Sequence, residues 1–187
     1  MNLVKLSDYG IKGENYYWSR RERYNLTEQE LHTVGVFDGG AYVDENIIFP
    51  LQKANEIFNA MGYELIVKDA HRSPDLYKLV QAKRYILHGK ELTDKLLNVV
   101  TMPHSSGRTV DVSLLDLKNG QEVRMRNSED DPNGGYLIDY YKGRSDLASR
   151  EFQRVQELLR EVMLSVGFQL GIKKEFWHFE YPLKSNG

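Results

Sequence analysis

His104-Ser105-Ser106-Gly107-Arg108-Thr109-Val110-Asp111-Val112-Ser113-Leu114-Leu115 is the stretch on which the reading of this chain turns. Val110, Val112 and Leu114 alternate with Thr109, Asp111 and Ser113, the period of a strand with one apolar face and one that carries Asp111 away from the core. Gly107 lets the chain turn just before that strand and can bring His104 back toward the Asp111 face. An acid within an otherwise apolar strand is costly to desolvate unless a cation or a hydrogen-bond donor meets it. A metal ion is one such partner and an arginine is another.

Downstream, Lys118-Asn119-Gly120-Gln121 predicts a turn into a short strand from Glu122 to Met125. Ser128 to Tyr136 contains Glu129, Asp130, Asp131, Pro132, Gly134 and Gly135, and reads as an acidic, mobile loop. Leu147, Phe152, Val155, Leu159, Val162 and Val166 set a stripe for a helix over 146–166, ended by Gly167. A closing hairpin is expected from 168–172 and 175–181 around Lys173-Lys174.

Upstream, Ile47, Leu51, Ala54, Phe58 and Met61 recur at helical spacing, with Pro50 in the first turn or at a kink and Gly62 as the stop. Tyr63 to Lys68 reads as a buried strand. Ser73-Pro74-Asp75 combines a capping residue, a proline at the first helical position and a first-turn acid, starting a helix that runs to about His88. Residues 1–40 show no sustained period and read as an irregular N-terminal wrap in which Tyr16, Tyr17 and Trp18 serve packing. Helices and short strands do not alternate regularly, so the expectation is one α+β domain, a mainly antiparallel sheet with packed helices and the candidate site in a cleft.

Of the 187 residues, 41% are hydrophobic and 28% charged, values that suit a globular domain with a sizeable core. A net charge of −2 gives no electrostatic reason to expect nucleic acid or an anionic membrane as partner. The absence of cysteine excludes disulfides, thiolate metal sites and a cysteine nucleophile, so any metal must be held by histidine and carboxylate. The first twenty residues lack the apolar run of a signal peptide and no later stretch approaches a membrane span, which makes a cytoplasmic protein the expectation.

Glu175-Phe176-Trp177-His178, taken with His104 and Asp111, completes the inventory of a catalytic zinc site: two imidazoles, a carboxylate ligand, and a second carboxylate beside a ligand. Glu175 and His178 are three apart, which puts them on opposite faces of a regular strand, so a strand there must bulge if both serve one metal. Arg72 stands where a strand gives way to a helix, either in a salt bridge to Asp69 or Asp75 or as a fixed cation for an oxyanion. His71 would point away from Arg72 in an extended segment and has a supporting or structural role. His32 and His88 belong to no pattern, and Trp177 is expected to pack on the wall of the site and fix His178.

Three segments resemble D-alanyl-D-alanine dipeptidases, members of a wider group of zinc D,D-peptidases that includes peptidoglycan carboxypeptidases and the hedgehog signalling domain. His104 to Asp111 resembles their H-x-x-G-x-x-x-D signature, Glu175 to His178 their E-x-W-H ending, and Asp69 to Pro74 their arginine-bearing segment. The likeness spans roughly Tyr42 to Tyr181, within a catalytic domain placed at 41–187. It implies that His104, Asp111 and His178 bind Zn2+, that Glu175 is the general acid/base, that Arg72 stabilises the transition state, and that Asp130 receives the ammonium group of a short D-alanyl-D-alanine-like peptide. A zinc-dependent hydrolase of such a dipeptide is the leading expectation; the alternatives are a D,D- or L,D-carboxypeptidase acting on peptidoglycan peptides, which would need access to the wall, and a non-catalytic zinc-stabilised binding domain, which would need neither Glu175 nor Arg72. The chain has Met102 where the family usually has serine and Thr109 where it usually has alanine, departures that bear on the substrate and not on the metal.

Overall fold

The computed structural model describes residues 1–171 and 174–182. Its strands are β1 (Leu3–Lys5), β2 (Lys12–Gly13), β3 (Tyr42–Asp44), β4 (Tyr63–Asp69), β5 (Thr109–Asp116), β6 (Gln121–Glu122), β7 (Gln169–Leu170) and β8 (His178–Glu180). Its helices are α1 (Tyr16–Ser19), α2 (Glu28–Thr33), α3 (Ile48–Ala60), α4 (Pro74–His88), α5 (Lys90–Leu96) and α6 (Leu147–Ser165), with short 3-10 turns between them. The main sheet has the order β2-β4-β5-β8-β7, with β6 added to β5, and β1 and β3 pair separately. The pairs β1–β3, β5–β6 and β7–β8 are antiparallel, and the fold is α+β as expected.

Two compact units divide the chain. The first comprises Met1–Ile48 and Val67–Val110. Its core gathers Tyr17, Tyr24, Leu26 and Leu31 from the N-terminal segment with Leu76, Tyr77 and Val80 from α4 and Leu97 beyond α5. The N-terminal aromatics are therefore structural, burying large apolar surfaces against α4. Helix α4 begins as its sequence dictates, with the Ser73 hydroxyl accepting from the Leu76 N–H at 3.1 Å and Pro74 in the first turn. Helix α5 carries no sequence signal strong enough to have been expected.

The second unit comprises Phe49–Ile66 and the chain from Asp111 onward. Phe152, Val155, Leu159 and Val162 are buried along α6, whose first turn is capped by Asp146 accepting from the Ser149 N–H. Leu147 does not join this stripe and is 78% exposed. It lies five residues before Phe152, about 500° of helical rotation and so roughly 140° off the buried line. Met61, also expected on a buried face, is exposed because α3 stops at Ala60.

Two further expectations are corrected. The acidic stretch of 128–136 is not an unstructured loop: Ser128–Asn133 winds as a 3-10 turn that Gly134 ends at φ +93°. The closing strand begins at His178, not Glu175. The His178 N–H donates to the Glu175 carbonyl at 3.2 Å, so a tight turn through Phe176 and Trp177, rather than a bulge in a strand, separates the two residues. Of the predicted hairpin connection, Ile172 and Lys173 lie outside the described residues.

Candidate metal centre

Within the first unit, Ala70 and the 3-10 turn Pro103–Ser106 place His104. Its imidazole is buried, and Nδ1 lies 2.9 Å from the Ala70 carbonyl oxygen. A carbonyl can only accept, so Nδ1 carries the proton and the ring lone pair sits on Nε2, the atom a metal would take. The His104 N–H donates to the Tyr77 hydroxyl at 3.2 Å, and its carbonyl accepts the Arg72 N–H at 3.3 Å. Gly107 follows with φ +68°, its carbonyl accepting from the Asp44 N–H at 2.8 Å. A side chain there would be strained by the dihedral and would meet Asp44 N and Leu3 Cδ2 at 3.0 Å.

Arg72 adjoins His104 through that backbone bond. Its guanidinium binds the buried Asp69 carboxylate through Nε, at 2.9 Å, and through Nη2. Its charge also lies over the rings of Tyr17 at 5.1 Å and Tyr77 at 5.3 Å. The salt bridge to Asp69 is thus present, and it leaves the planar cation held in one orientation. His71 is half-buried and its N–H donates to the Tyr42 carbonyl at 3.0 Å; burial pushes its pKa down. Thr109 is buried and its hydroxyl donates to the Pro103 carbonyl at 2.9 Å, so the departure from alanine there ties the His104 turn to β5. Met102 opens that turn in the left-handed region at φ +44°.

In the second unit, β5 carries Asp111 and β8 carries His178. His178 Nδ1 stands 2.7 Å from Asp111 Oδ1, and its Nε2 stands 3.4 Å from Glu180 Oε1. Burial alone would lower the pKa of His178, but the hydrogen bond to Asp111 and the charges of Asp111, Glu175 and Glu180 outweigh it and raise the value above the ordinary one. Trp177 gives its carbonyl to the Val112 N–H at 2.9 Å, holding the turn onto β5, and its ring packs on Phe176 and Tyr136 with the Arg126 guanidinium 4.6 Å away.

One donor atom each of His104, Asp111 and His178 lies within 4.8 Å of the other two, the one such group among the described residues. Two imidazoles and a carboxylate are a donor set that suits zinc. Of the three neighbouring acids, Asp131 is paired with Arg126 at 2.7 Å and Glu129 is exposed. Asp130 instead accepts the Tyr141 hydroxyl at 3.0 Å, while its carbonyl accepts the Gly135 N–H at 3.0 Å. A Cβ on Gly135 would lie 2.7 Å from the Asp130 Cβ, so this acid is closely seated.

Two features escaped the sequence. The aromatic walls of Arg72 could not be read because Tyr17 is remote in sequence and has no motif linking it to the arginine. Glu180 carries a signal that was there to be read: it lies two residues after His178 on a strand, and therefore on the same face.

The structure is an α+β fold whose His104, Asp111 and His178 form a donor group able to hold a metal ion. The chain belongs to the D-ala-D-ala dipeptidase family, whose model matches residues 20–185. A D-alanyl-D-alanine dipeptidase of Synechocystis sp. is 41% identical over 83 residues, a match that covers 41% of this chain and 33% of that protein. Among solved structures, the LdcB LD-carboxypeptidase matches with a TM-score of 0.50 and 17% identity over 75% of this chain and 59% of its own, a likeness of fold. The D,D-pentapeptidase VanY of a VanB-type resistance cassette matches with a TM-score of 0.47 and 17% identity, over 76% and 74%. Among the described residues, no helix is long and apolar enough to cross a membrane.

Proposed function

We propose that this protein is a zinc-dependent dipeptidase that hydrolyses D-alanyl-D-alanine or a closely similar short peptide. The convergence of His104, Asp111 and His178 in a chain of this family carries the reading. These three side chains would hold the ion, with His104 offering Nε2. Zinc held there would supply Lewis acidity for the scissile carbonyl and the attacking water. Glu175 takes the proton from the attacking water and hands it to the leaving amine. Arg72, held flat by Asp69 and the two tyrosines, meets the negative charge that grows on the carbonyl oxygen. Asp130 accepts the substrate ammonium group, which restricts turnover to peptides with a free amino terminus. Residues 41–187 form the catalytic domain, served by the N-terminal segment through Tyr17.

Three measurements test this. Replacing His104, Asp111 or His178 by alanine is expected to abolish stoichiometric zinc, read by elemental analysis; full zinc in all three variants would overturn the ligand set. A panel of free dipeptides and amino-blocked analogues should show alanine release from the free D,D-dipeptide alone, lost on chelation and restored by zinc. In Asp130→Asn the KM for that dipeptide should rise while its zinc content is unchanged. Turnover of blocked or longer wall peptides at comparable kcat/KM would replace the dipeptidase reading with a carboxypeptidase.

A further inference from the structure

His178 presents two nitrogens, and only one can serve the metal. Its Nδ1 faces Asp111, itself in the donor cluster, at 2.7 Å, while Nε2 faces Glu180 Oε1 at 3.4 Å. Gly171 lies beside the ring, its backbone N–H donating to the His178 backbone carbonyl at 3.2 Å. A Cβ on Gly171 would run into His178 Cδ2 and stand 2.8 Å from Nε2 and 3.2 Å from Glu180 Oε1. Glycine is therefore required for the imidazole to lie where both carboxylates reach it. His104 shows the complementary arrangement, with a carbonyl on Nδ1 and the lone pair on Nε2.

We infer that Glu180 is a positioning residue for the metal centre, accepting the Nε2–H of His178 so that Nδ1 is the nitrogen offered to the ion, in a seat that Gly171 leaves open. The inference rests on the zinc-dipeptidase reading for the metal but assigns a residue outside its reaction steps. Histidine ligands commonly donate their second ring N–H to a carboxylate or carbonyl, which fixes the ring and raises its basicity; loss of such a partner typically weakens metal binding roughly 10- to 100-fold. Glu180 suits that part because its side chain is 39% exposed, so the core does not depend on it. It lies on the same face of β8 as His178.

The test is zinc affinity of the full chain, measured by competition with a chromophoric chelator, for wild type, Glu180→Ala, Glu180→Gln and Gly171→Ala, with the melting midpoint of each metal-free protein beside it. Glu180→Ala should bind zinc at least about tenfold more weakly at an unchanged midpoint. Glu180→Gln, which keeps an acceptor oxygen and loses the charge, should restore affinity to within about threefold of wild type. Gly171→Ala should weaken binding even with Glu180 present. Wild-type affinity in Glu180→Ala overturns the inference and leaves the dipeptidase reading standing. A Gln variant as weak as the Ala variant reduces Glu180 to a remote charge and overturns it equally. If the wild-type chain takes up no zinc, the metal centre itself falls and this inference with it.

Discussion

Glu175→Gln is expected to bind zinc as the wild type does and to lose turnover by roughly 100- to 10,000-fold, the range that a positioned proton-transfer group contributes. The substitution is close to isosteric. The backbone roles of Glu175, its bridge to Leu137 and its carbonyl bond to the His178 N–H, involve no side-chain atom and survive the change. The amide of glutamine can fill the same space but has no basic oxygen to take a proton from water. Zinc occupancy and kcat on the free D,D-dipeptide, measured on one preparation, decide the matter. Loss of zinc would move Glu175 into the ligand set, and retained turnover would move the base elsewhere and revive a binding domain as the function.

The local segments were legible because their periods are strong. The alternation from Thr109 to Asp116 and the Ser73-Pro74-Asp75 start of α4 leave little competing structure to choose. The candidate site was legible only in part. Asp111 and His178 meet through the register of a sheet whose strands are not neighbours in sequence, and no local pattern encodes that; motif resemblance alone placed them together. Aromatic residues favour strands, so Phe176-Trp177 reads as strand in the sequence, whereas the bond from the His178 N–H to the Glu175 carbonyl closes a turn there. The same limit hid the pairing of Arg72 with Tyr17 and Tyr77, which depends on how the N-terminal segment packs on α4.

Arg72→Ala is expected to lower kcat by on the order of 100-fold or more with little change in zinc content, the effect of removing one donor to a developing oxyanion. The structure adds a second expectation. Asp69 is buried and accepts both the Arg72 guanidinium and, at 2.9 Å, the Ala70 N–H, so removing the guanidinium takes away one of its partners and should lower the melting temperature. Arg72→Lys separates the two effects: an ammonium retains the charge near Asp69 and recovers most of the melting temperature, yet it lacks the planar fork that Asp69 and the tyrosines hold in one orientation. The lysine variant should therefore fold well and still fall short in kcat at unchanged KM. If both variants raise KM and leave kcat alone, Arg72 binds the ground state of the substrate, and the oxyanion must find its donor elsewhere; if the lysine variant recovers full kcat, charge alone suffices and the aromatic seat of Arg72 serves only the fold.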